Sequence, residues 1–286
     1  MRILVTGAAG FIGFHTVKAL LEAGHEVVGI DNLNAYYDTA LKAARLKKLA
    51  HPAFTFLEAD ICQLPALQLS GITHVIHLAA QAGVRYSLEA PMSYSHSNLE
   101  GHLAVLEWVR HQPSLQHLLY ASSSSVYGAN TKIPFSEDDA VIHPVSLYAA
   151  TKRCGELLSQ SYAHLYGLRR RPDMAYFNFT KKLLAGEKIT LFNHGKMRRD
   201  FTYIDDIVRG ILAALAATSD SGHEIYNLGN HQPVSLIDFL GTLEKLTGRE
   251  AQVEYADMQP GDVTETYAEI SKAQKAFGFS PQTSLE

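Results

Sequence analysis

Arg2-Ile3-Leu4-Val5-Thr6-Gly7-Ala8-Ala9-Gly10-Phe11-Ile12-Gly13 is the stretch that decides the fold. Arg2–Thr6 is a short β-rich apolar run, and Phe11–Ala23 has helical spacing, so the glycines sit where a strand gives way to a helix. Gly7, Gly10 and Gly13 permit a tight turn, close approach of backbone to a pyrophosphate, and close packing of helix on strand. The helix N-terminus, at Phe11 and Ile12, offers N–H groups and a favourable dipole to phosphate. A second strand, Glu26–Ile30, leads into Asp31 and Asn32. A carboxylate at that point accepts hydrogen bonds from both adenosine ribose hydroxyls and repels a 2′-phosphate, which predicts NAD rather than NADP.

Strand signals recur at Phe54–Leu57, Thr73–Leu78 and His117–Ala121, with helical stretches such as Met92–Arg110 between them. Continuous apolar strands alternating with helices predict an α/β fold with a doubly wound parallel sheet, Rossmann-like, built from right-handed crossovers. Asp60 and Ile61 follow the third strand, where an adenine would pass, and Leu78, Ala79 and Ala80 close the fourth, where small side chains could line a cofactor. Past Leu168 the pattern loosens: Pro172–Ala185, Ile204–Ala217 and Ser235–Leu246 read as helices, and Lys188–Phe192, Glu224–Asn227 and Gln252–Tyr255 as strands. The reading is an NAD-binding domain over 1–168 and a smaller α/β lobe, mainly for substrate, over 169–286.

The bulk properties narrow the function. At 286 residues, 47% hydrophobic and 19% charged, the chain has ample material for a packed core and none of the character of a disordered one. Lys+Arg 25 against Asp+Glu 29 gives a net charge of −4, which argues against nucleic acid as a main partner. Apolar runs such as Ile211 to Ala217 are too short to span a bilayer, and the N-terminus moves straight into strand and turn residues, unlike a signal peptide. Two cysteines, Cys62 and Cys154, form no CxxC motif and fit a reduced, cytoplasmic setting. His74 and His77 point to opposite faces of a strand and there is no HExxH, so no metal is expected.

Tyr148-Ala149-Ala150-Thr151-Lys152 lies on a predicted helix, so Tyr148 and Lys152 share one face. The ammonium should draw the phenol from its usual pKa of ~10 toward neutrality. A phenolate so placed can take a proton from a hydroxyl as hydride leaves the same carbon, while Lys152 also holds the nicotinamide ribose. Ser122-Ser123-Ser124-Ser125 follows the fifth strand, whose carboxyl end carries ligands in this fold. Ser123 is the candidate catalytic hydroxyl, with Ser124 and Ser125 against substrate.

LVTGAAGFIG, HLAAQAGVRYSLE, ASSSSVYG, SLYAATK, RPDMAYF, MRRDFTYIDDIV and MQPGDV together resemble the extended short-chain dehydrogenase/reductase family, and within it the nucleotide-sugar epimerases that act on UDP-glucuronate. The resemblance covers nearly the whole chain. It implies tightly held NAD, oxidation and return of hydride at C4 through a transient 4-keto sugar, and interconversion of UDP-glucuronate and UDP-galacturonate. A neutral UDP-sugar such as UDP-glucose, or an inactive NAD-binding paralogue, is the alternative. By resemblance, Arg85, Arg199 and Asp200 lie on the substrate side, Gln259, Gly261 and Asp262 near the diphosphate, and Arg171 at the glucuronate carboxylate, which a guanidinium fits bidentately. Asn98 stands on the cofactor side or on the helix surface. A homodimer is expected through the helices Met92–Arg110 and Leu147–Tyr166. Related decarboxylases and dehydratases place an acid just before Val-Tyr-Gly; Ser125 stands there, which favours epimerisation.

One junction departs from the family pattern. Between Gly167-Leu168 and Arg171-Pro172 the family has a further strand ending in a substrate-contacting loop, whereas here only Arg169 and Arg170 intervene. Two residues are too few to form a strand and cross the sheet. The chain also stops at Thr283-Ser284-Leu285-Glu286, where the family continues into a last helix. The expectation is that residues of the natural polypeptide are missing here, the alternative being a defective paralogue.

Overall fold

The structure is a computed structural model that describes residues 1–166, 170–171, 188–217, 222–258 and 263–285. Its frame is a parallel sheet of β1 (Arg2–Thr6), β2 (Glu26–Asp31), β3 (Phe54–Glu58), β4 (His74–His77), β5 (His117–Tyr120) and β6 (Arg170–Arg171) in the order 3-2-1-4-5-6. Strand β1 is central because it can be buried on both faces: Ile3 and Val5 point to one layer and Leu4 to the other. The first layer holds Val17 and Leu20 of α1 (Phe11–Glu22). The second holds Ile61, Leu64, Val105, Leu106 and Val109.

Register places the carboxyl end of β1 beside those of its two neighbours, with Thr6 opposite Ile30 and His77. The strand order reverses between β1 and β4, so a crevice opens there at the carboxyl ends. Helices α2 (Thr39–Lys48), α3 (Tyr86–Glu89), α4 (Pro91–Tyr94), α5 (Gly101–Arg110) and α6 (Leu147–Tyr166) flank the sheet. The stretch Met92–Arg110 is not one regular helix. Ser95–Glu100 forms a wider π turn between α4 and α5, and it carries Asn98 inward to a buried position.

Two further sequence readings need correction. Arg170–Arg171 does form a strand, two residues long, whose backbone pairs parallel with Leu118 and Leu119 at the edge of the sheet. Glu224–Asn227 is not a strand: Tyr226 is buried there, and the Asn227 N–H donates to Glu137 Oε1 at 2.6 Å instead of to a ladder. The predicted helix Pro172–Ala185 lies outside the described residues.

Residues beyond 168 serve both lobes. Helix α7 (Ile204–Ala216) returns to the main sheet, packing Ile207, Ile211 and Leu215 against α1. The second lobe pairs β7 (Ile189–Phe192) with β10 (Val253–Ala256), and β8 (Arg198–Asp200) with β9 (Pro233–Ser235) and β11 (Glu265–Thr266). Helix α8 (Leu236–Thr247) starts where Ser235 Oγ accepts the Asp238 N–H and stops at Gly248, left-handed at φ 65°. Leu236 and Leu240 close that lobe's core on Ile189, Leu191 and Met197. Helix α9 (Ser271–Phe277) is the last helix among the described residues, with Ala273 packed against Tyr226 and Ile270.

Candidate active site

The glycine turn is a cradle that side chains would fill. Gly7 adopts φ 72°, and a Cβ there would lie 2.9 Å from the Ala79 nitrogen. At Gly13 a Cβ would fall 2.0 Å from the Gly7 carbonyl oxygen, which the Gly10 N–H already engages at 3.0 Å. Helix α1 begins at Phe11 with Ile12 following, no acid in its first turn and Gly10 as its cap, so its dipole favours an anion. Leu78, Ala79 and Ala80 run past the opposite wall, with Ala79 and Ala80 bordering a narrow cavity beside Lys152.

Asp31 is buried at the end of β2, but not as a lone carboxylate. It accepts the N–H groups of Ala9 and Leu33 and pairs with the buried Lys42 ammonium at 3.2 Å. Arg45 stands nearby, donating to the Ala9 carbonyl and Tyr37 hydroxyl. The predicted repulsion of a 2′-phosphate is therefore offset by Lys42, a residue the sequence reading missed because nothing local ties it to Asp31. Asn32 donates to Asp60 Oδ2 at 2.9 Å, joining the ends of β2 and β3. Asp60 caps the turn Ile61–Ala66 and faces His96 at 3.3 Å. Burial would raise the Asp60 pKa, but the Cys62 N–H, Asn32 and His96 outweigh it and hold the carboxyl below its usual value. Burial, then Asp60, pushes the Cys62 thiol up to about 12, so it is no nucleophile. Asp60, Cys62 and His96 are drawn together from two distant segments, which no spacing motif announces.

Tyr148 and Lys152 lie on α6, both buried. Lys152 Nζ donates to the Ala121 carbonyl at 3.0 Å. Burial lowers its pKa to about 8 despite the opposing influence of Glu156. The Tyr148 ring meets Tyr94 edge-on with centroids 6.1 Å apart, and the Tyr94 hydroxyl donates to the Ala82 carbonyl at 2.8 Å. Asn98 accepts the Gln81 N–H at 2.8 Å and donates to the Gln81 carbonyl and Thr151 hydroxyl, clamping the loop after β4 to the helix that bears the pair. It is a buried clamp between these two segments, not a helix-surface residue.

The serines divide their work. Ser122 donates to the buried carboxylate of Glu156, which also binds Arg153. Ser123 Oγ accepts the Ser125 N–H at 3.1 Å, opening the turn Ser124–Tyr127. Ser122, Ser123 and Ser124 border a cleft shared with Tyr127, Glu156, Arg199, Asp200, Asn227 and Tyr267; Ser125 and Arg85 do not line it. Arg85 stacks instead on Phe192, 4.2 Å from the ring centre, linking the loop after β4 to the second lobe. Arg199 donates to the carbonyls of Val263, Thr264 and Arg198. Asp200 accepts N–H groups from Asn230, His231 and Ala268, so it organises the cleft wall. Gln259, Gly261 and Asp262 lie outside the described residues, as does the side chain of Arg171.

The glycine cradle, the acid that ends β2 and the tyrosine–lysine pair beside a serine turn define an enzyme of the extended short-chain dehydrogenase/reductase class. The chain belongs to the NAD dependent epimerase/dehydratase family, whose model matches residues 3–229. UDP-glucuronate 4-epimerase 2 of Arabidopsis thaliana is 45% identical over 318 positions, covering 100% of this chain and 73% of the plant protein. Protein CapI of Staphylococcus aureus is 44% identical over 319 positions, covering 100% of this chain and 95% of its own. The UDP-glucuronic acid 4-epimerase from Bacillus cereus, solved in complex with UDP-glucuronic acid and NAD, superposes with a TM-score of 0.90 at 34% identity over 100% of this chain and 95% of its own. The alignment with Protein CapI is 33 positions longer than the 286 residues of this chain, so at least that many have no counterpart here.

Proposed function

We propose that the protein is an NAD-dependent 4-epimerase that interconverts UDP-glucuronate and UDP-galacturonate. The observation that carries the reaction type is the buried Tyr148–Lys152 pair set against the serine turn, at the strand ends where the glycine cradle also opens. The substrate follows from the plant and Bacillus cereus relatives, which are UDP-glucuronate 4-epimerases. NAD, when bound, supplies the acceptor that takes a hydride from C4 and returns it. The cradle fits its pyrophosphate, since added side chains would collide there with backbone. Asp31, with its charge matched by Lys42, fits the adenosine ribose.

The protein's own groups handle the proton. Tyr148 takes it from the C4 hydroxyl as that carbon becomes a ketone and gives it back when the alcohol reforms. Lys152 keeps a positive charge beside the phenol and holds the nicotinamide ribose, and Ser123 steadies the reacting oxygen. The ketone is β to the glucuronate carboxylate, so the site must also keep that carboxylate from departing as CO2. Ser125 offers no acid at the position where related decarboxylases and dehydratases place one. Arg171 is assigned to the substrate carboxylate, Arg199 and Asp200 to the wall of the UDP cleft, and Gln259, Gly261 and Asp262 to the diphosphate.

Exposed Leu103 on α5 and Leu157 and Leu165 on α6 offer an apolar face for a homodimer. Among the described residues no helix is long and apolar enough to cross a membrane, and a cytoplasmic enzyme fits the nucleotide-sugar substrate. Competition between UDP-glucuronate and UDP-glucose tests the substrate. Turnover of the first, with the second a poor competitor, supports the reading; preference for UDP-glucose overturns it.

A further inference from the structure

His102 has no part in the chemistry just described, yet it lies beneath it. It sits on α5, buried, with Nε2 3.1 Å from the Gly155 carbonyl oxygen and 2.9 Å from the Ser159 hydroxyl, both on α6. Nε2 meets both groups at once: protonated it donates to the Gly155 carbonyl, unprotonated it accepts from the Ser159 hydroxyl, and in either tautomer His102 ties this turn of α6 to α5. Gly155 is three residues past Lys152, one helical turn away. The imidazole and Lys152 border the same narrow cavity, together with Asn98, Ala121 and Thr151.

The other side of the ring is anchored to the sheet. His102 stacks on His77 at 5.2 Å with the rings 27° apart, and Tyr120 meets it edge-on at 5.2 Å. His77 Nδ1 is 2.7 Å from the Thr6 hydroxyl, and that same oxygen accepts the Ala79 N–H at 3.1 Å. Thr6, His77 and Tyr120 are the last residues of β1, β4 and β5. A continuous line thus runs from the strand ends under the cofactor crevice, through His77 and His102, to the helix turn below Lys152. A leucine of similar bulk would fill this space, but would make no hydrogen bond to the Gly155 carbonyl or the Ser159 hydroxyl.

We propose that His102 is a positioning residue for the reaction, setting through Gly155 the depth at which α6 presents Lys152 and Tyr148 to the cofactor and the sugar. This rests on the NAD-dependent epimerase reading and names a residue that acts through others. Loss of this tie lets α6 shift outward, and a displacement of about 1 Å at reacting groups costs up to ~100-fold in rate. Binding of UDP, in the cleft formed with the second lobe, is untouched.

The test uses the full-length protein with NAD and compares His102→Leu, His102→Gln and His102→Asn. Gln carries an amide N–H near the place of Nε2, whereas Asn is too short to reach Gly155. In His102→Leu and His102→Asn, kcat per folded molecule should fall ~10- to 100-fold, with KM for UDP-glucuronate changed by less than about twofold. His102→Gln should restore most of kcat. The Gln/Asn comparison decides the matter even if the leucine variant fails to fold. NADH affinity, read by fluorescence titration, should fall in the same order and needs no sugar, so it stands if the substrate assignment fails. Equal kcat and NADH affinity in His102→Asn and His102→Gln, or a loss confined to Tm, would overturn the proposal.

Discussion

The Lys152 ammonium donates to the Ala121 carbonyl at 3.0 Å, fastening α6 to the segment that runs from β5 into the serine turn. This bond brings the base and the candidate hydroxyl Ser123 to the same strand end. Burial of the ammonium, not this bond, lowers its pKa to about 8. The group is a cation below that pH and neutral above it. Since kcat/KM reports groups of the enzyme before sugar binds, it should decline as pH rises through about 8. A profile flat to the alkaline end of the stable range would remove Lys152's charge from the account.

Tyr148 is the proton acceptor, and a phenylalanine keeps its bulk and its edge contact with Tyr94. Tyr148→Phe should therefore leave Tm and cofactor binding close to wild type while lowering kcat by ~100- to 10,000-fold. Stopped assays on the purified variant check this, and a loss of less than tenfold would move the base elsewhere.

Gly13→Ala places a methyl carbon 2.0 Å from the Gly7 carbonyl oxygen. Neither group can swing away, because one belongs to the helix backbone and the other to the turn. The cradle must open, at a cost of at least ~1–3 kcal/mol. Calorimetry should show a lower Tm and weak or no binding of NAD.

Asp31 and Lys42 form a pair shielded from solvent, with side-chain exposures of 7% and 6%. Removing one partner strands the other charge, which for buried pairs costs ~3–5 kcal/mol. Lys42→Met should lower the urea midpoint of the cofactor-free protein by a corresponding amount. The double variant with Asp31→Asn should recover much of that stability while binding NAD poorly. Equal stability of single and double variants would show that the Ala9 and Leu33 N–H groups alone satisfy Asp31.

What the sequence disclosed was local. The β1–glycine–α1 unit and the Tyr148–Lys152 spacing are written within a dozen residues, and helical and strand periodicity reads them directly. The clamp of Asn98 on Gln81 and Thr151, and the seat of Ser122 on Glu156, join segments too far apart for any periodicity to register. Asn98 turns inward because Ser95–Glu100 is wound as a π turn, a departure that residue propensities do not encode. Glu224–Asn227 has the alternation of a strand, yet its polar groups find Glu137, Phe135 and Tyr127 in place of a ladder. Arg170–Arg171 reverses the error, since an edge strand needs only the backbone of Leu118 and Leu119 to pair with.

The most direct test of the central claim is incubation of the purified protein with UDP-glucuronate and NAD, followed by anion-exchange separation of the sugar nucleotides. The account predicts UDP-galacturonate approaching equilibrium with its epimer, with no CO2 released and no free NADH accumulating. Release of CO2 with a UDP-pentose, or net formation of NADH, would contradict it.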